Sequence, residues 1–154
     1  MRKLLVVIVV LLIANTIAYG QDVNAYIELL RSADIKTRKI EVIKEVMDFT
    51  EEESSAFWPV YRKYEFEIEK IFDEKIDLIK DYVQNYDNLT DEKASELAMK
   101  TFELQKRRTK LMKKYFKRFE RVLPSTTAAK FLMIERSINL MRDVQIISNL
   151  PLIK

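Results

Sequence analysis

The 154-residue chain contains no cysteine and no histidine, one glycine and three prolines. Without cysteine no disulfide can staple the fold, so its stability has to come from packing. Without histidine the commonest general base and the commonest metal ligand are both missing, and a metal would have to be held by carboxylates alone. The single glycine, Gly20, closes the N-terminal apolar segment, so the rest of the chain has no glycine for tight hairpin turns and few such turns are expected. Hairpin strands are therefore not expected.

That N-terminal segment reads MRKLLVVIVVLLIANTIAYGQ. Arg2 and Lys3 precede an unbroken apolar run from Leu4 to Ala14, and Ala18 and Gly20 occupy the small-residue positions of a secretory signal. The alternative is an uncleaved anchor, but the run is shorter than the roughly 20 apolar residues a span requires. The expected organisation is a signal peptide over residues 1–20, cleaved after Gly20, and a single all-helical domain over residues 21–154. The expected location is the periplasm. Losing Arg2 and Lys3 would leave 25 bases against 24 acids, so bulk charge points to no particular partner.

The remainder is rich in Glu, Lys, Leu, Ile and Met, with apolar residues three and four apart. An all-α fold of about four helices follows. The first helical region is expected from about Ala25 to Met47, with Ile40, Ile43, Val46 and Met47 on one face. A capping box at Thr50 and Glu53 starts the second, which runs to about Tyr86 with Phe57, Tyr61, Tyr64, Ile68 and Ile71 in one seam and Phe72, Ile76, Ile79, Val83 and Tyr86 continuing it. Thr90 caps the third, which carries Leu97, Leu104, Leu111, Met112, Tyr115, Phe116, Phe119 and Val122 toward Leu123. The fourth starts near Ser125 with Phe131, Ile134, Ile138, Met141 and Ile147 on its apolar side. Long antiparallel hairpins are the natural packing. Pro59, two turns into the second helix, removes a hydrogen bond there and is expected to bend it, curving the hairpin.

Charge is split along the chain. Asp22 to Glu96 holds 20 acids and 11 bases, a net of −9, whereas Leu97 to Lys154 holds 4 acids and 14 bases, a net of +10. Glu65, Glu69, Asp73, Asp77 and Asp81 form a row four residues apart on the second helix. Lys106, Lys110, Lys113, Lys114, Lys117, Arg118 and Arg121 crowd the third. In an antiparallel hairpin the two rows can face each other and fix register. Alternatively part of the basic ridge stays open for an acidic partner.

No constellation of residues announces catalysis. A carboxylate-bridged di-iron site needs Glu-x-x-His pairs, which a chain without histidine cannot supply. No serine or tyrosine stands in an activating context, and paired acids for glycoside hydrolysis would need a pocket that a narrow helical hairpin does not offer. The run QKRRTKLMKKYFKRFER interleaves basic and aromatic residues, but Tyr115, Phe116 and Phe119 have the spacing of a buried seam, not of a stacking platform. The chain is read as a non-enzyme that takes no cofactor, no metal and no nucleic acid.

The three later helix starts, FTEEESSAFW, LTDEKASELA and LPSTTAAKFL, share an apolar residue, capping positions, two small residues and a second apolar residue. They read either as ordinary capping or as a duplicated unit. With the export signal and long helices, they resemble the Spy/CpxP family of small periplasmic proteins, whose helices start in LTxxQ-type motifs. The matching residues are Phe49, Thr50 and Glu53, then Leu89 and Thr90, then Leu123 and Thr127, with Glu53, Lys93 and Thr127 standing where the family has glutamine. The resemblance covers residues 35–148. It implies a thin, curved dimer of helical hairpins acting as an ATP-independent chaperone or as a partner of an envelope-stress sensor; missing histidine and cysteine count against the metal-responsive role of other relatives. A structural envelope component is a third reading. The residues expected to meet a protein client or an envelope sensor, near the membrane, are Phe57, Trp58, Lys110, Lys114, Lys117, Arg118 and Arg121.

Overall fold

The structure, a computed structural model, describes residues 33–148 and 150. The expected signal peptide, its cleavage point and the start of the first helical region lie outside them. The described residues form four helices, α1 (Ala33–Met47), α2 (Glu51–Asn85), α3 (Asp91–Phe119) and α4 (Ser125–Ser148), with a 3-10 turn at Tyr86–Asn88. The fold is all-α, with no strand among the described residues.

Local chemistry sets each boundary. α1 ends where Asp48 takes a positive φ of 51°, the left-handed geometry usually given to glycine and tolerated by aspartate. Thr50 then starts α2 with a complete capping box: its hydroxyl accepts from the Glu53 amide at 3.1 Å, and Glu53 Oε2 accepts from the Thr50 amide at 3.1 Å. Glu53 does more, since its Oε1 accepts from the Thr127 hydroxyl at 3.1 Å and so ties the starts of α2 and α4 together. At the second start only half the box forms. Thr90 accepts from the Lys93 amide at 3.2 Å, while the Lys93 ammonium reaches across to Asp81 on α2 at 2.7 Å. α2 passes Pro59 as one continuous helix, with the ring on the solvent side.

α2 and α3 form the long antiparallel hairpin. α4 returns parallel to α2, as the contacts of Phe57 with Phe131, Tyr64 with Glu135 and Glu69 with Arg142 require. α1 lies antiparallel along α4, with Lys39 beside Glu135 and Lys130 reaching the Met47 carbonyl. The main core gathers Phe57, Tyr61, Tyr64, Ile68 and Ile71 of α2, Leu111, Tyr115 and Phe119 of α3, Ala128 and Phe131 of α4, and Ile43 and Met47 of α1. Rings dominate it. Phe57 stacks on Phe119 at 5.2 Å and meets Phe131 edge-on at 5.1 Å, and Tyr64 meets Tyr115 at 5.3 Å. Phe72, Ile76, Ile79 and Ile146 make a second cluster further along the hairpin.

Three apolar faces differ from expectation, the first being that of the third helix, where Val122 is exposed in the turn after α3. On α1 the buried stripe is Lys39, Ile43 and Met47, while Val46 is exposed. On α4 Met141 and Ile147 face solvent, and the buried side instead carries Glu135, Asn139 and Arg142 between Phe131 and Ile146. Polar residues at i, i+4 and i+7 were invisible to a reading that looked for apolar ones at that spacing.

Candidate partner-binding surface

The interior of the helix packing is polar at one point. Glu135 is 1% exposed, and its Oε1 accepts from Tyr64 Oη at 2.9 Å, Asn139 Nδ2 at 2.9 Å and Lys39 Nζ at 3.1 Å. Lys39 also donates to Glu65 at 2.7 Å. Burial works to lower the Lys39 pKa, but the carboxylates of Glu135 and Glu65 outweigh it and hold the value above the ordinary range. Burial and the same carboxylates push the Tyr61 and Tyr64 hydroxyls far up, so both stay protonated. Glu135 Oε2, Arg142 Nε and Tyr61 Oη lack a hydrogen-bond partner among the described residues. Such a cluster aligns helices; it is closed to partners.

The expected facing of charge rows is corrected by this arrangement. Glu65 and Glu69 turn to Lys39 and Lys36 of α1 and Arg142 of α4, not to α3. Asp81, the last of the row, does meet α3, taking Lys93 at 2.7 Å, but the cations of the α3 ridge meet a different set of acids. Glu67 takes Lys114 at 2.7 Å, and one heptad along each helix in opposite senses Glu74 takes Arg107 in a two-pronged pair. Antiparallel register is therefore written at seven-residue intervals, on the other side of α2 from Glu65 and Glu69.

On the outer side of this hairpin lies a shallow depression of about 490 Å³ lined by Pro59, Arg62, Lys63, Phe66 and Glu67 of α2 with Tyr115 and Arg118 of α3. Pro59, Arg62, Lys63 and Phe66 recur at i, i+3, i+4 and i+7, the stripe opposite the Tyr61–Tyr64–Ile68 seam. Phe66 is 66% exposed, and Lys70 stands over its ring at 4.1 Å. Tyr115 forms the inner wall. Its hydroxyl donates to Glu67 at 2.5 Å, and Arg118 covers its ring at 4.7 Å. Burial first, then the Glu67 carboxylate, pushes the Tyr115 pKa up to about 12. Hydrogen bonds from Lys114 and then Tyr115 hold the Glu67 carboxyl below its usual range, so the one acid in the depression is already neutralised. Among the described residues Arg62, Lys63 and Arg118 form no ion pair. The depression thus presents cations around an apolar floor.

The sequence-predicted residues divide around it. Arg118 lines the depression, and Lys114 stands at its edge through Glu67. Lys110, Lys117 and Arg121 are exposed and, among the described residues, without ion-pair partners; helical spacing sets Lys110 and Lys117 on one solvent stripe of α3 beside Lys114, and Arg121 lies in the turn after it. Phe57 is fully buried in the aromatic core. Trp58 is half-buried, donating to Ser54 Oγ at 3.0 Å, with Lys44 5.7 Å from its ring. Arg62, Lys63 and Phe66 were missed, although a helical wheel drawn on the Tyr61 seam would have set all three on the opposite face.

Among the described residues no three of His, Cys, Asp and Glu gather as a metal site would require, and no helix is long and apolar enough to cross a membrane. What the fold and surface define is an all-α protein whose described residues form four helices with a basic and apolar outer depression. Comparison with protein-family models, with curated proteins and with solved structures finds no match for this chain.

Proposed function

We propose that this is an exported, non-enzymatic protein that binds non-native or envelope proteins in the manner of an ATP-independent chaperone. The observation that carries the reading is the depression itself: an exposed Phe66 beside Pro59, framed by Arg62, Lys63 and Arg118, none of them in an ion pair among the described residues. An unfolding chain offers acidic and apolar residues together. The cations speed its approach and the apolar floor holds it, with Lys110, Lys117 and Arg121 extending the attraction along α3. With one glycine in the sequence there is no glycine-rich phosphate loop to couple binding to ATP. The Spy/CpxP resemblance points the same way.

Light scattering of aggregating client proteins, with the protein at several ratios and two salt concentrations, tests the reading. Suppression across unrelated clients that weakens with salt is the expected result. No suppression at molar excess would overturn the chaperone reading in favour of a dedicated envelope partner.

A further inference from the structure

The outward side of α4 is apolar where a surface helix is ordinarily polar. Met133 is 71% exposed, Leu140 64%, Val144 58% and Ile147 63%, and the four fall within about 60° of arc around the helix. They make one ridge, about 21 Å long by the helical rise. The other side of α4 is the one that packs, through Phe131, Glu135, Arg142 and Ile146. The basic depression lies on the side of α2 opposite the core that α4 closes, so the two surfaces point away from each other.

On α4 itself the free charge is all positive. Arg136 borders the ridge on one edge and Lys130 on the other. Both are exposed, and among the described residues neither is in an ion pair, Lys130 donating to the Met47 carbonyl at 3.1 Å. The two acids of α4 are already taken. Glu135 is buried beside Lys39, and Asp143 holds Lys75 at 2.6 Å and Arg108 at 3.4 Å. On the neighbouring flank Met112 and Phe116 of α3 line a cavity with Leu132 of α4, and Lys113 between them is exposed and, among the described residues, unpaired. α1, on the opposite flank, presents Arg38 with Glu41 and Glu45, so the positive excess belongs to α4 and α3.

From this arrangement we infer that the α4 ridge is a docking surface for an anionic lipid bilayer, with α4 lying in the headgroup region and the depression facing away from the membrane. Among the described residues no helix is long and apolar enough to cross a bilayer, so the contact is made by lying on one. A single-helix ridge with an apolar crest and cationic edges suits that environment. Its crest reaches the acyl boundary while Lys113, Lys130 and Arg136 meet lipid phosphates. A second copy is the poorer match, because it brings the same cations and no free acid on α4 to meet them. The inference rests on the ridge and its charges and does not depend on the function proposed for the depression; where both hold, clients are carried on the side open to solvent.

Protein purified from cells expressing the full chain is sedimented with vesicles of phosphatidylethanolamine and phosphatidylglycerol, or of phosphatidylcholine alone, at low and high salt. Binding to the anionic vesicles that weakens with salt, and far weaker binding to phosphatidylcholine, is the expected result. Leu140→Ser combined with Val144→Ser should lower the partition at least tenfold, and Arg136→Ser about fivefold, with unchanged helical circular dichroism because the replaced side chains are exposed. As the chain has no cysteine, Val144→Cys and Lys63→Cys each accept a single environment-sensitive dye. Anionic vesicles should brighten the dye at position 144 and leave the one at position 63 unchanged. No binding, equal binding to both kinds of vesicle, binding that the α4 variants leave intact, or equal brightening at the two positions would overturn the inference. A dimer in sedimentation equilibrium that the Leu140 and Val144 variant dissolves, in protein that ignores vesicles, would assign the ridge to a second copy and overturn it as well.

Discussion

Lys39→Met removes the countercharge of a carboxylate that is 1% exposed. Glu135 Oε1 keeps its hydrogen bonds from Tyr64 and Asn139, but nothing replaces the ammonium at 3.1 Å. Leaving one member of a buried pair uncompensated costs about 3–5 kcal/mol. Glu135→Gln is milder, because Lys39 retains Glu65 at 2.7 Å, and about 2–3 kcal/mol is expected. In the double variant neither charge is stranded, so the two effects should overlap by at least about 2 kcal/mol. Urea unfolding of the four proteins, followed by circular dichroism, reads this cycle directly. For a chain of this size Lys39→Met should also lower Tm by about 10–15 °C. The sign of the pH dependence is a separate check. A lysine whose folded pKa is raised contributes stability below its unfolded value, about 10.4, and loses it as pH rises through the folded value. The unaltered protein should therefore show an alkaline loss that Lys39→Met lacks. A loss under about 1 kcal/mol, or additivity within about 0.5 kcal/mol, would refute the claim that this cluster aligns α1, α2 and α4.

Other consequences can be measured on the same material. Replacing Lys114 and Arg107 together by Glu should lower Tm, by more at low salt than at high, because the Glu67 and Glu74 pairs are half-exposed and screened; equal losses at both salts would contradict it. Glu67, with its depressed pKa, contributes stability above its unfolded value that is lost as pH falls through the folded one, so Glu67→Gln should flatten the acid limb of stability below about pH 4.3. Its solvent exposure keeps that effect well under about 1 kcal/mol. Glu53→Ala should cost about 1–2 kcal/mol and more than Thr90→Ala, since the Glu53 carboxylate both closes the Thr50 box and holds Thr127, while Thr90 makes a single bond. Equal losses would show that the cross-tie to α4 carries no stability.

The helices were legible because their signals are local. Thr50 with Glu53 and Thr90 with its acidic first turn are short-range capping chemistry, and the observed starts at Glu51 and Asp91 fall one residue after each cap. The α2 seam was legible because its apolar period is long and unbroken. α4 was read less well: apolar residues on both its faces leave no period to follow, and its inward side is set by Glu135 meeting Lys39 across 96 positions of sequence. The same distance dependence explains the charge rows. Glu65 and Glu69 looked like partners for α3 because only α2 and α3 were compared, whereas the fold gives them α1 and α4. At the candidate surface, Arg118 and the α3 ridge stood out by density of charge. Phe66 was hidden among seam residues until burial separated the two sides of α2.

Whether the depression between Pro59, Phe66 and Arg118 captures non-native segments is tested most directly by fluorescence anisotropy. A labelled, permanently unfolded acidic polypeptide is titrated with the unaltered protein and with a variant carrying Arg62→Ser and Phe66→Ser. Both replaced side chains are exposed, so the fold should hold, and losing the contact of one aromatic ring is worth about tenfold in affinity before the lost charge is counted. The account predicts salt-sensitive binding weakened at least tenfold in the variant. Equal binding by both proteins, or none by either, would contradict it.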